Sequence, residues 1–418
     1  MTKFNFSDIK FGVKENRFYH NIGDDFACFA LWKSARPYRD EIRRLLSEEF
    51  EILAELEIKW SEKYFNDNAS RLYEVPINYK SVKEDWKSNH AKKIGDTTFI
   101  LFIIKDNTPQ YSYAMSVSKK IELSNLNVVR VKYQMRDLIE KDTGAKYGVH
   151  STNNIYEFFY QVPLLLGVDL FEKILDNKKI EEKFIEKDLE GAGGWSNYHY
   201  LFKLLNVASN YLVQRGFETL PFENEEKDID FLTDNYQRLA SLLGAYQEPL
   251  KPYKGNVLVN NEKIDVDIRF VGDKYYDASW QKNMLEERKL NNGVYIPRED
   301  DYFFSLLYHC KVQKKEVKKK YIPILKELAN NLNFQWFTPE LLADNKSIGN
   351  ILNGYFQSQG YSYENPIDAG VIKNGEVIKY LPINLVFKPN VSAKQRIKKM
   401  IKSFLPKEVV SLLRKNSK

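Results

Sequence analysis

Cysteine is nearly absent. Cys28 and Cys310 are the two thiols among 418 residues, too few for a disulfide framework or a zinc knuckle. Long apolar runs are missing as well, and no window approaches the roughly 20 uncharged apolar residues that a spanning helix needs. No fixed-period repeat or low-complexity tract is visible, which excludes solenoids and propellers. Met1 to Gly12 is polar and mixed in charge, unlike a signal peptide. The expected setting is cytoplasmic, with peripheral contact at the inner membrane face as the one membrane option.

Apolar and aromatic material is plentiful: 43% of the chain is hydrophobic, with 27 Tyr and 26 Phe. Wholesale disorder is therefore excluded, and the length suggests two or three domains. The net charge of +6 is unevenly placed. Lys388 to Lys418 holds ten Lys or Arg and one acid, while the other 387 residues hold 53 basic and 56 acidic side chains. The basic character belongs to the tail, which argues against a nucleic-acid binder and for a body with one anionic-surface contact.

Along the chain, Phe26–Trp32 reads as a buried strand, followed by a helix from Pro37 with Ile42, Leu45 and Leu46 at helical spacing. Phe50–Trp60 alternates like a strand, and Thr98–Ile104 and Asn127–Tyr133 are apolar strand-like runs. Leu164–Phe184 and Tyr198–Val213 read as helices, as does the stretch from Asp301 to about Leu332. Between the last two lie three strand-like pieces: around Asp228, Asn256–Val259 and Lys263–Val271. Gly191-Ala192-Gly193-Gly194 is the best linker. These elements imply an α+β protein with a first domain over 1–175, a linker over 176–197 and a second domain over 198–335. An extension over 336–387 and a basic tail over 388–418 complete it.

Two alternating strands of the second domain carry carboxylates. Asp228-Ile229-Asp230 puts two acids on one strand face, and Ile264-Asp265-Val266-Asp267-Ile268 adds more on another. Hard carboxylate oxygens suit Mg²⁺, which bridges nucleotide phosphates and neutralises charge in transfer. A helix, the glycine turn at Gly216, Asp-x-Asp on one strand and an Asp on a neighbour resemble the nucleotidyltransferase superfamily over about 198–331. The resemblance implies a nucleotidyltransferase fold, with Asp228 and Asp230 as metal ligands and Asp267 as the third carboxylate that also serves catalysis. Asp265 is its rival, and the bland alternative for Asp-x-Asp is charge that keeps an edge strand soluble. Gly216 is followed by Phe217, where the superfamily usually has Gly-Gly or Gly-Ser. Some members look like transferases of phospho-alditols or phosphocholine from CDP-linked donors. Downstream, His309 and Lys311 are placed to reach a phosphate, beside the alternative of a buried Tyr-His pair and an exposed Lys. Lys314, Lys315, Lys318, Lys319 and Lys320 read as a solvated face, although a polyanionic acceptor would also suit them.

The first domain resembles nucleoside diphosphate kinases over about 25–174, which implies a ferredoxin-like sheet. Lys33 ends the opening strand, and Met135-Arg136-Asp137 precedes Val149-His150-Ser151-Thr152-Asn153 at a spacing close to the family's Arg and His-Gly-Ser-Asp motif. By that resemblance His150 is the phosphoryl-carrying nucleophile, Lys33 and Arg136 clamp the phosphate, and Thr152 supplies an orienting hydroxyl. The Gly after the histidine is here Ser151, the Asp is Asn153, and Lys-Pro has become Lys33-Ser34. A bland alternative is that Ser151-Thr152-Asn153 simply caps the next helix.

Between Val391 and Leu413, apolar residues recur at near-helical intervals with Lys and Arg between them, and Pro406 divides the stretch. Such helices lie on anionic membrane faces, with docking on the protein's own body or on a partner as the alternative. The expectation is a Mg²⁺-dependent nucleotidyl- or phospho-substituent transferase. It would use a nucleotide-linked donor and a hydroxyl acceptor, a glycan in cell-surface polysaccharide assembly. The alternatives are a phosphotransferase acting through His150 and a non-catalytic scaffold retaining both folds.

Overall fold

A computed structural model describes residues 5–78, 91–115, 121–145, 147–178, 180–248, 251–314 and 316–383. The basic tail and Lys315 lie outside the described residues. The chain opens on a hairpin, β1 (Phe11–Lys14) and β2 (Arg17–His20). It continues through β3 (Asp25–Leu31), α1 (Arg39–Glu49), β4 (Glu51–Lys59), α2 (Phe65–Leu72), β5 (Ile77–Asn78) and β6 (Thr98–Asp106). Next come β7 (Tyr111–Met115), β8 (Ile121–Asn125), α3 (Leu126–Thr143), β9 (Val149–Ser151), α4 (Ile155–Leu166), α5 (Val168–Leu175) and β10 (Phe184–Glu186).

The first large sheet has the order β10-β4-β6-β3-β9. Its β4, β6, β3 and β9 run antiparallel to their neighbours, and β10 joins the β4 edge in parallel. Every residue of β3 is buried because both faces are covered. Ala27, Phe29 and Leu31 pack with Ile42 and Leu46 of α1 and with Val128, Val131, Met135 and Ile139 of α3. Phe26, Cys28 and Ala30 face a larger core that includes α4 and runs on into the second half of the chain. A smaller sheet, β1-β2-β7-β8, flanks this body.

Three expectations change here. Asn127–Tyr133, expected as a strand, is the start of α3: Asn125 caps it by accepting from the Asn127 amide. Val128, Val131, Met135 and Ile139 then fall on its buried side at helical spacing, and burial overrides the β-branched residues' strand preference. The stretch expected as a linker contributes β10 to the first sheet, since the free edge of β4 offers unpaired backbone groups to any extended segment alongside it. Leu164–Phe184 is also not one helix: Gly167, at φ +85°, separates α4 from α5.

The second half comprises α6 (Tyr198–Ala208), β11 (Tyr211–Val213), β12 (Asp228–Thr233), α7 (Tyr236–Leu243), β13 (Tyr246–Glu248), β14 (Lys251–Val259) and β15 (Glu262–Phe270). After these come α8 (Ala278–Glu286), the hairpin β16 (Lys289–Asn291) and β17 (Val294–Ile296), α9 (Glu299–Val312), α10 (Tyr321–Asn331), α11 (Asn345–Gln359) and α12 (Gly375–Ile378). The sheet order is β11-β12-β15-β14-β13-β5, so a strand from the first half closes its edge. Tyr211–Val213, expected within a helix, is a strand because Ser209 and Asn210 end α6 and Val213 pairs with Phe231. Among the described residues no helix is long and apolar enough to cross a membrane.

Candidate functional site

The carboxylates meet through strand register. β12 and β15 run parallel, with Asp228 opposite Asp265 and Asp230 opposite Asp267. β14 runs antiparallel on the far side of β15, placing Lys254 opposite Asp267 and Asn256 opposite Asp265. The sheet therefore carries two lateral rows on one face, Lys254–Asp267–Asp230 and Asn256–Asp265–Asp228. The intervening Ile229, Ile264, Val266 and Ile268 are buried in the core on the other face. This alternation is what fixes the acids outward: a one-residue slip would bury them.

Each acid has its own surroundings. Asp230 Oδ2 accepts a charged contact from Arg215 Nε at 2.9 Å, and Arg215 is buried. Asp267 Oδ2 accepts from Arg269 Nη2 at 2.9 Å, while Arg269 Nε stands 2.8 Å from Oδ1 without the alignment of a hydrogen bond. Arg269 also reaches Asp368 at 3.0 Å and lies over the rings of Tyr275 and Tyr253. Asp228 and Asp265 are exposed. Desolvation first, and then the charge of Asp230, push the Asp228 carboxyl up to about 6. Asp267 is also raised, by burial more than by Asp230, with Arg269 opposing.

Cations surround this row. Gly216 turns the chain after Arg215 at φ +67°, a left-handed conformation that glycine adopts without steric cost. Phe217 beside it packs in the core against Tyr302, so the bulky residue after the glycine points inward. Lys314, in the turn after α9, is held below the ordinary lysine value by desolvation first and then by Arg215 and Lys318. A lysine field crowded by like charge is receptive to an anion. Lys314 and Lys318 belong to the run expected as a solvated face. They are indeed exposed, but the fold directs their charge towards Arg215.

Lys311 lies elsewhere: it is buried, and its Nζ donates to the Leu342 carbonyl at 2.5 Å. His309 is buried too, with Nδ1 3.2 Å from the Tyr275 hydroxyl. Its pKa is held well below the usual histidine value by burial and then by Arg215. The buried Tyr-His pair is present, and the lysine beside it is buried rather than exposed.

Magnesium takes hard oxygen ligands, and these carboxylates match it in chemistry. Among the described residues the Asp228 carboxyl has no hydrogen-bond or ion-pair partner, and Asp267 Oδ1 is buried without an aligned donor. Among the same residues no group of three His, Cys, Asp or Glu side chains is gathered to enclose an ion. Arg215 and Arg269 hold two of the three acids. Enclosure of a cation by Asp228, Asp230 and Asp267 thus requires Arg215 to release Asp230.

In the first half, His150 and Arg136 line one cleft of about 1260 Å³, and Lys33 and Thr152 do not. Lys33 is exposed past the end of β3, its amide donating to the Ile94 carbonyl. Thr152 is fully buried and its hydroxyl accepts from the Cys28 amide at 3.0 Å, which ties β9 to β3. The Trp32 and Tyr73 rings pack on the His150 imidazole, and its Nε2 lies 2.8 Å from Oε1 of Gln161. Gln161 lies two turns into α4, beyond the reach of motif reading. The cap of α4 is Asn154, which accepts from the Glu157 amide, and not the preceding Ser151-Thr152-Asn153.

No protein-family model, curated protein or solved structure matches the chain.

Proposed function

We propose that the carboxylate row on β12 and β15 is the catalytic centre of a Mg²⁺-dependent transferase of the nucleotidyltransferase kind. It moves a nucleotidyl or phospho-substituent from a nucleotide-activated donor to a hydroxyl acceptor. The observation that carries this reading is the parallel register that sets Asp230 beside Asp267 and Asp228 beside Asp265. An edge strand made soluble by charge does not explain it, because β12 and β15 are interior strands of the sheet. The series α6, Gly216 turn, β12 and β15 supports a nucleotidyltransferase fold for this half. The antiparallel order β4-β6-β3-β9 supports a ferredoxin-like, nucleoside-diphosphate-kinase-like core for the first.

Asp228, Asp230 and Asp267 would hold the ion, which supplies neutralisation of donor phosphate charge when bound. Arg215, Lys254, Lys314 and Lys318 face the donor phosphates. Asp267 accepts the proton of the acceptor hydroxyl. The acceptor oxygen forms a bond to phosphorus as the bond to the leaving phosphate or nucleotide breaks. Calorimetric titration of the whole chain with CTP, ATP, UTP and GTP, with and without Mg²⁺, tests this. Binding of one nucleotide that needs Mg²⁺ and disappears in Asp228→Asn is the expected result. Nucleotide binding indifferent to both the metal and that variant overturns it.

A further inference from the structure

The small sheet β1-β2-β7-β8 plays no part in the reading above, and its two faces are laid out in an unusual way. An antiparallel sheet ordinarily turns its apolar face to the core and its polar face to water. Register here puts Val13 beside Phe18, Tyr113 beside Leu123 and Met115 beside Ile121. Phe18 also pairs with Tyr111, and its ring meets that of Tyr113 edge-on at 5.5 Å. All six side chains therefore share one face. The reverse face of β7 and β8 carries Ser112, Ala114, Glu122 and Ser124, and the last three line the His150 cleft.

One end of the apolar face is covered. Phe11 packs on Tyr111 at 5.0 Å and on Tyr156 of α4 at 5.6 Å. Past these rings the cover stops. Val13 is 62% exposed, Tyr113 and Met115 are each 63% exposed, and Ile121 is 71% exposed. Phe18 and Leu123 between them are half-buried. Single exposed apolar side chains are ordinary, but six in register on one sheet face are a contiguous patch. At these exposures they leave on the order of 500 Å² open, towards the upper end of the largest patch on a typical monomer.

We propose that this face is a homodimer interface, on which a second copy of the chain lays the same face about a two-fold axis. Among the described residues the exposed part of the face bears no charge, so two copies meet without like-charge repulsion. Two patches bury on the order of 1,000 Å² from these side chains alone, and the surrounding rim brings the total into the roughly 1,200–2,000 Å² of a stable interface. Tyr and Met are also types enriched at such contacts. Other occupants fit less well. The basic tail would bring its lysines to a face without acids. An anionic lipid surface would find its cations, Lys14 and Arg17, on the reverse side of β1 and β2.

Sedimentation velocity on the whole chain decides it, over about 1–100 μM, a range that brackets a micromolar dissociation constant. The native chain is expected to pass from monomer to dimer within or below that range. Tyr113→Lys and Met115→Lys, each checked for folding by its melting curve, should weaken the dimer at least tenfold. Tyr19→Lys, an exposed position on the reverse face, should leave it unchanged. A native chain that stays monomeric at every concentration overturns the proposal, whether or not it sediments with phosphatidylglycerol vesicles. So does a dimer that survives both folded variants, or one that Tyr19→Lys weakens as much as they do.

Discussion

Asp228 is the least settled acid of the row, and its ionisation gives the site a pH signature. Its folded pKa of about 6 lies above the free value of 3.8, so the native state binds the extra proton between them. Stability contributed by this group therefore falls as pH rises from about 4 to about 6. Asp228→Asn should raise the stability of the metal-free protein at pH 7 by ~1 kcal/mol, after allowing for solvent screening at an exposed position. The same variant should lose divalent-ion binding. Mn²⁺ titration followed by electron paramagnetic resonance should show affinity rising about tenfold from pH 5 to pH 7 as the carboxyl ionises. A flat profile would mean that Asp228 is not a ligand. Asp230→Asn has the opposite effect on stability, because it strands the buried guanidinium of Arg215. Urea denaturation should show a loss of about 3 kcal/mol. The acids themselves were legible in the sequence, since a period of two puts Asp228 with Asp230 and Asp265 with Asp267. The same period puts Arg269 beside Asp267. Arg215 meets Asp230 only through tertiary geometry, and Lys314 becomes part of the site only because α9 ends beside it.

At the level of elements, α3 shows where local pattern misleads. Three valines in Asn127–Tyr133 read as a strand over seven residues, and only the longer window to Ile139 exposes the helical spacing. That misreading hid Lys132, which α3 places in contact range of β9. Carrying His150 over from a familiar motif had a related weakness: the helix that follows, not the residues beside it, supplies Gln161. The charge pair across α3 and α4 is testable as a unit. Glu157, raised to about 7, makes stability fall from about pH 4.5 to 7, while Lys132, lowered to about 8, makes it rise from about pH 8 to 10.5. Lys132→Met takes the donor from the Ser151 carbonyl and Asn153 Oδ1, and Glu157→Gln weakens the acceptor of the Asn153 amide, so each should destabilise the protein at pH 7.5. The double variant should lose less than the sum, by on the order of 1–3 kcal/mol. Additive losses in a denaturation cycle would show that the two groups are uncoupled.

Across the whole molecule, the two halves share one core rather than meeting at a linker. Arg71 of α2 is 1% exposed and donates to three backbone carbonyls: Glu190 at 2.6 Å, Ser241 at 2.8 Å and Leu242 at 2.9 Å. Its own carbonyl accepts from the Tyr160 hydroxyl of α4. Burial pushes the guanidinium down to about 10, which measures how completely water is replaced by these carbonyls. Nearby, β5 pairs with β13, and Trp195 Nε1 donates to the Leu243 carbonyl at 2.9 Å. The glycine-rich stretch before α6 is therefore packed: Gly191, at φ +71°, lies where a Cβ would meet the Trp195 ring at 2.4 Å. Its glycines serve close approach, not the freedom that composition suggested. Arg71→Met leaves the Glu190 and Leu242 carbonyls without this donor, at about 1–3 kcal/mol each, while the Ser241 carbonyl keeps the Gly244 amide. A loss of about 2–6 kcal/mol is expected, large against the 5–15 kcal/mol typical of a folded protein. Scanning calorimetry should show the native chain melting in one transition and the variant in two, as the halves lose their common anchor. A variant that still melts in one step within 1 kcal/mol of the native protein would show that the shared apolar core, without Arg71, couples the cleft to the carboxylate row.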